Sequence, residues 1–400
     1  MRRLPLAGLV AALGLAACTD ASRVPTAPDA ARSAAGAPAA ERVTAAARWN
    51  QRTRAIIGRQ RASSNAAARI FALVSVAQYD AVIAAEDAKA RGLHPSVAGA
   101  AGTASAAVLA RLYPAEQAFL DAQLAEDAAY FPTLPSERDA DFVAGAAVGR
   151  TVGAAVFAYA ATDGSNARWD GTSKVGPGFW TPGSLPPQDA SWGDVRPWLM
   201  TSGDQFRAPA PPAVGSPEFL ADLAEVRDFS DHPTDERLRI ARYWASEYGP
   251  GGPAGFFGDY AAALVTRQHL DERRAARVLA VLHMAIMDAS IGCYESKYEY
   301  WYLRPYQADA AIATPVGRPN FPSYPSAHSC LSSAAAGVLA ALFPAAADDL
   351  HAMVEEAGVS RIYAGLHFRF EITAGQQLGY AVAALALRLA PDGHRPIPLD

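Results

Sequence analysis

The chain has 400 residues and only three cysteines, at positions 18, 293 and 330, too few for a disulfide framework to hold it together. It has no basic excess. Thirty-five Lys and Arg stand against 40 Asp and Glu, a formal net charge of -5, whereas a nucleic-acid binder needs a basic face, so no nucleic-acid partner is expected. Charged residues make up only 19% of the chain. The basic residues of interest fall at a few fixed spacings near the C-terminus, as a site would place them. Alternating apolar and polar residues do not run to useful strand length, and β-branched runs are scarce. What is abundant is alanine, which dominates the 51% of hydrophobic residues and favours closely packed helices over sheets. Beyond the N-terminus, no stretch reads as the roughly 18 uncharged apolar residues of a spanning helix. The expected fold is all-α, and the length allows two ordinary domains or one large helical unit.

Arg2 and Arg3 precede a short apolar stretch from Leu4 to Leu15. Leu15-Ala16-Ala17-Cys18 then resembles the lipobox of bacterial lipoproteins, in which the cysteine is lipidated. The resemblance implies a lipoprotein signal peptide over 1–18 and an exported body, periplasmic or at the cell surface. The membrane would then be a partner through the lipid anchor on Cys18 alone. Residues 19–40, rich in Ala, Pro and Ser, read as a flexible tether. Cys293 and Cys330 are expected as buried, unpaired thiols, although an oxidising compartment allows a disulfide.

The remaining chain reads as two related helical bundles, 41–162 and 217–393, joined by a Pro/Gly/Trp-rich linker over 163–216. Ala67-Ala68-Arg69, Ala77, Asp80-Ala81 and Ile83 recur as Ala275-Ala276-Arg277, Ala285, Asp288-Ala289 and Ile291. Pro95-Ser96 recurs as Pro325-Ser326, Val108-Leu109-Ala110 as Val338-Leu339-Ala340, and Asp141 with Gly145 and Gly149 as Glu371 with Gly375 and Gly379. In the first half Ala98 stands where the second has His328, and Glu137 stands where it has His367. Only the second half is equipped for chemistry. Asp80 and Asp288 lie in otherwise apolar helices and are expected to be buried and bonded to an Arg or to backbone N–H groups. In the linker, Trp169, Trp180, Trp192 and Trp198 suggest a loop packed over the bundle, and helix is expected to resume near Thr234 as an N-cap. Leu238, Ala241, Trp244, Ala245 and Tyr248 then form one apolar stripe.

Three segments carry the chemistry. Lys297 and Arg304 are seven apart, a spacing that on one helix would put both on the same face, with Pro305 ending it. Two such cations need an anion between them or ample water. In Phe321-Pro322-Ser323-Tyr324-Pro325-Ser326-Ala327-His328 the last Pro-Ser-Ala reads as a turn into a helix from Ala327 to Phe343. A helix start offers free N–H groups and a positive dipole end to a phosphate-like anion, and Ser326 adds a hydroxyl. Glu371 follows His367 at i+4, so on one helical face it can hold one imidazole N–H and aim the other nitrogen.

Together the segments resemble the signature shared by type 2 phosphatidic acid phosphatases, bacterial acid phosphatases and vanadium-dependent haloperoxidases. That signature is Lys-x6-Arg-Pro, Pro-Ser-Gly-His and Ser-Arg-x5-His-x3-Asp. Lys297, Arg304 and Pro305 match the first part, Pro325, Ser326 and His328 the second, and Ser360, Arg361 and His367 the third. Ala327 replaces the usual Gly and Glu371 the usual Asp, so the turn is expected to differ slightly and the hold on His367 to be looser.

The resemblance implies His367, His328 and Lys297 as catalytic residues. It implies an oxyanion cofactor site of Lys297, Arg304, Ser326, Ala327, Arg361 and His367, with His367 as the axial ligand to vanadium and Glu371 and Phe321 in support. The activity implied is vanadate-dependent oxidation of halide by hydrogen peroxide. The alternatives are an acid phosphatase acting on a phosphate ester through a phosphohistidine, and a periplasmic phosphate-binding lipoprotein. In either of these phosphate takes the place of vanadate.

Overall fold

The computed structural model describes residues 43–247, 249–389 and 395–397. The signal segment, Cys18 and the tether lie outside the described residues. Thirteen α-helices are described: α1 (Ala45–Gln60), α2 (Ser64–Ala90), α3 (Val97–Leu112), α4 (Gln117–Tyr130), α5 (Phe142–Ala160), α6 (Pro217–Asp231), α7 (Asp235–Arg242), α8 (Gly252–Arg267), α9 (Glu272–Tyr300), α10 (Pro305–Ala308), α11 (Ala327–Leu342), α12 (Ala347–Tyr363) and α13 (Arg369–Leu389). Among the described residues there is no strand, only two isolated bridges. The fold is all-α.

Local chemistry sets where the helices begin. Thr44, Ser63, Ser96, Asp141, Ser216, Thr234, Asp271 and Ser326 each accept a hydrogen bond from the backbone N–H three residues on. Thr234 is a cap as expected, but helix already resumes at Pro217, capped by Ser216, a signal overlooked in the Ser-Pro pair.

The order α2, α3, a 3₁₀ turn at Pro114–Glu116, α4 and α5 is repeated by α9, α11, a 3₁₀ turn at Pro344–Ala346, α12 and α13, with α10 inserted. Fine detail repeats as well. Ser96 donates its N–H to the Asp141 carbonyl at 2.9 Å, and Ser326 donates to the Glu371 carbonyl at 3.0 Å. Gly149 lies where a Cβ would come within 2.4 Å of the Ala100 oxygen, and Gly379 within 2.2 Å of the Cys330 oxygen. In each half two helix backbones therefore touch. One hydrophobic core runs through α2 and α9 and takes in residues of both halves, so their apolar surfaces close on each other.

Asp80 and Asp288 are both buried. Asp288 accepts N–H groups from Trp198, Leu199 and Met200 at 2.7, 2.8 and 2.9 Å, which pins the linker to α9. Burial pushes its carboxyl up to about 6 while the three amides pull it back. Asp80 accepts the N–H of Ile397 at 3.2 Å. Both serve the packing. The linker lies along α9 through Trp192 Nε1, which donates to Ser290 Oγ at 2.6 Å, and through the N–H of Trp180, which donates to the Trp301 carbonyl at 2.6 Å. Trp180 and Trp192 are buried and Trp169 and Trp198 half-buried.

One expectation needs correcting. By length and composition α2, α5 and α9 could each cross a membrane, but the apolar stretches of α2 and α9 are almost wholly buried inside the protein. Their apolar character answers to the core. The stretch in α5 is largely uncovered.

The backbone contacts make a direct test. Gly379→Ala and Gly149→Ala each force a methyl group into a carbonyl oxygen, so each should lower stability by about 1–3 kcal/mol. Denaturant unfolding of both variants with an unchanged midpoint would show that the helices do not touch there.

Candidate active site

Lys297 sits in the last turn of α9, which ends at Tyr300 because Trp301 takes a left-handed conformation (φ 51°). Arg304 therefore does not share a helical face with Lys297, as the seven-residue spacing had suggested. It is extended (φ -89°, ψ 155°) and Pro305 begins α10 instead of ending a helix. The chain turns back on itself and brings the two cations together from different elements.

Both are buried, and both are held by main-chain oxygen. Lys297 Nζ donates to the carbonyls of Pro322, Ser323 and Pro325 at 3.1, 2.6 and 2.5 Å. Arg304 Nη2 donates to the carbonyls of Phe321 and Pro322 at 3.1 and 3.3 Å, and Nη1 to that of Leu366 at 3.0 Å. Arg304 Nε is buried without a partner. Among the described residues neither cation enters an ion pair, and the carboxylate whose charge acts on both is Glu371. Burial lowers the Lys297 pKa to about 8. The Phe321 ring is half-buried, its centroid 5.2 Å from Lys297 Nζ and 5.1 Å from the Arg304 guanidinium carbon.

Glu371 holds His367. The Nδ1···Oε2 distance is 2.5 Å, and the same oxygen accepts Ser323 Oγ at 2.8 Å and the Phe368 N–H at 3.2 Å. The longer glutamate side chain therefore gives a tight hold, not the looser one expected. His367 is not on a helix with Glu371. It lies in the loop before α13, and that loop gives the pair its reach. Arg304 Nη1 lies 3.1 Å from His367 Nε2, and an arginine can only donate. Hence Nε2 carries the lone pair and Nδ1 the proton. Burial, with the charges of Arg304 and Lys297, holds the His367 pKa well below the ordinary value.

Ser326 caps α11, accepting the Ser329 N–H at 3.5 Å. Ala327 is the first residue of that helix and has no positive φ, so the turn accommodates alanine as it stands. His328 Nε2 donates to the Trp244 carbonyl at 2.7 Å. Burial, then the charge of Arg361, lowers its pKa to about 3. Arg361, in the last turn of α12, donates from Nη2 to the Ala241 carbonyl at 2.8 Å and from Nε to Ser360 Oγ at 2.9 Å. Trp244 belongs to a π-helical turn, Tyr243–Glu247, that breaks the stripe expected to run on from α7; Tyr248 lies outside the described residues. The Trp244 indole N–H donates to Glu356 Oε1 at 2.9 Å.

The structure thus gathers Lys297, Arg304, Ser326, Ala327, His328, Arg361, His367, Glu371 and Phe321 at the N-terminal end of α11. Sequence reasoning missed Ser323, which bonds Glu371 through its hydroxyl and Lys297 through its carbonyl. It also missed Ala241 and Trp244, which act through carbonyls that any residue type would supply. The first half shows the contrast. Glu137 is buried, and its Oε1 accepts the N–H of Ala98, in the first turn of α3, at 3.5 Å.

Residues 278–395 match the family model of the PAP2 superfamily. No curated protein sequence matches the chain significantly. Among solved structures the fold is shared with one described as the first bacterial vanadium-dependent iodoperoxidase. The TM-score is 0.71 at 21% identity, over 88% of this chain and 98% of that one. It is shared too with a holo-type bacterial vanadium-dependent chloroperoxidase, with a TM-score of 0.65 at 15% identity over 82% of this chain and 91% of that one.

An anion beside His328 would offset the burial and the Arg361 charge that keep it neutral, so binding should raise its pKa and draw in a proton. Calorimetry of phosphate binding near pH 6 in buffers of different ionisation enthalpy should therefore show proton uptake, reduced in His328→Ala. Identical uptake in wild type and variant would assign the proton elsewhere.

Proposed function

We propose that the chain is a vanadate-dependent haloperoxidase-like enzyme that oxidises halide with hydrogen peroxide. The observation that carries this reading is the pair of buried cations, Lys297 and Arg304, held by carbonyls without an ion-pair partner among the described residues, beside a lone pair on His367 Nε2. Carbonyls fix the cations in place but leave their charge unneutralised, which suits a small oxyanion.

The donor set fits vanadate. Arg304 Nε is an orphaned buried donor, every cation is fixed before binding, and the described residues hold no group of three His, Cys, Asp or Glu suited to a bare metal ion. Lys297, Arg304, Arg361, Ser326 and the Ala327 N–H would hold the oxygens, and His367 Nε2 would be the ligand to vanadium. When bound, vanadate supplies the centre at which hydrogen peroxide is made reactive toward halide. Glu371 keeps the His367 proton on Nδ1, so Nε2 keeps the lone pair that here accepts Arg304 Nη1. Lys297, lowered to about 8 yet still charged at neutral pH, presents a cation to oxygen. Phe321 covers that cation with an apolar ring.

The phosphatase alternative uses the same cage with phosphate. It asks His328, whose Nε2 here donates to the Trp244 carbonyl, to give a proton to a leaving oxygen. The fold shared with an iodoperoxidase and a chloroperoxidase over most of both chains supports the haloperoxidase reading. A phosphate-binding lipoprotein would need neither His367 with its glutamate nor His328. We also propose export and lipid anchoring at Cys18. A Cys18→Ser chain should lose its membrane association, and unchanged association would refute the anchor.

The vanadate-loaded protein should oxidise bromide or iodide with hydrogen peroxide. Lys297→Ala should abolish this while vanadate still binds, and His367→Ala should remove activity. Arg304→Ala or Arg361→Ala should weaken phosphate and vanadate binding alike by roughly tenfold to more than a hundredfold, the cost of one charge-assisted contact of about 1.5–3 kcal/mol. A loaded enzyme with no halide oxidation but with phosphomonoester turnover inhibited by vanadate would make it the phosphatase.

A further inference from the structure

Two thiols that the proposed reaction does not use lie directly beneath the oxyanion loop. Cys293 is on α9, one turn before Lys297, and Cys330 is on α11, one turn after Ser326. Both are unpaired, fully buried cysteines. The two thiols lie within interaction range of each other across the contact between the two helices. Cys293 Sγ also lies 3.9 Å from the Pro325 carbonyl, the oxygen that accepts Lys297 Nζ.

The first half provides an internal control. By the repeat, Ala85 on α2 stands where Cys293 is and Ala100 on α3 stands where Cys330 is, and both alanines are buried. α2 packs against α3 as α9 packs against α11. Helices cross this way without sulfur, so packing alone does not call for the two thiols.

We infer that Cys293 and Cys330 form a peroxide-driven disulfide site that ties α9 to α11 beneath Lys297. The oxidant is hydrogen peroxide, small and neutral enough to reach buried sulfur where a protein thiol cannot. The Cys293 thiolate attacks one peroxide oxygen and breaks the O–O bond, giving a sulfenic acid and, after protonation, one water. Cys330 sulfur then attacks Cys293 sulfur, its proton leaves with the displaced hydroxyl as a second water, and the S–S bond forms. Two thiols lose two electrons and two protons, and one peroxide becomes two waters. Burial opposes ionisation of Cys293, but its interaction with Cys330 and the charge of Lys297 outweigh this and bring the thiol below its ordinary value. Burial holds Cys330 well above it. Cys293, one turn from the Lys297 ammonium on the same helix, is the sulfur placed to attack. The site does not depend on which reaction the oxyanion pocket runs.

The test uses the full chain, reduced, freed of reductant and treated with hydrogen peroxide without vanadate or halide. Peptide mapping should then find a Cys293–Cys330 link, with a mass loss of two hydrogens that reductant restores. The thermal midpoint of the linked protein should exceed that of the reduced one. Cys293→Ala and Cys330→Ala, which install the first half's residues, should fold, form no link and lose the shift. Cys330→Ala should leave a sulfenic acid on Cys293 that dimedone traps once the treated protein is unfolded. Two intact thiols after excess peroxide, oxidation beyond sulfenic acid without a link, or the same midpoint shift in the double variant would each overturn the inference.

Discussion

The site depends on one arrangement: the carbonyls of Phe321, Pro322, Ser323 and Pro325, turned inward onto Lys297 and Arg304. Taking an ammonium and a guanidinium out of water is costly, and a carboxylate would repay it by cancelling the charge. Carbonyl dipoles repay part of the cost and leave the charge in place. Everything nearby follows from this. The loop is rich in proline, which supplies carbonyls and has no N–H to turn toward a cation. Burial first, and then the charges of the neighbouring cations, hold the histidines neutral.

Glu371 illustrates how the same field acts on an anion. Burial pushes its carboxyl up to about 7, and Arg304 and Lys297 pull it down. Its one shared oxygen takes three donors, from His367, Ser323 and Phe368, while the other has none. The carboxylate is thus committed to the histidine and to the loop that carries the cations.

The helical fold was legible in alanine content, caps and period, because these are local properties that tertiary packing did not override. The site residues were legible only as spaced motifs, and geometry inferred from spacing failed twice. Lys297 and Arg304 are brought together by a chain reversal at Trp301, and His367 meets Glu371 from a loop. A separation of seven or four suggests a helical face only if the helix continues, and nothing in the side chains at 301 or 368 announces that it does not. The partners of His328 and Arg361 were illegible for another reason. Main-chain carbonyls at Trp244 and Ala241 are present at every residue, and a π-helical turn decides which are free to accept.

The buried carboxylate of Glu137, against the first turn of α3, has a consequence for the molecule as a whole. The two halves start a helix from the same Pro-Ser cap, and such a start attracts negative charge. In the first half that demand is met by an anion covalently tethered to the chain, which cannot exchange with solvent and cannot be outcompeted. The first copy of the helix start therefore carries its negative charge within the chain, which makes it a fixed internal counterpart of the second copy.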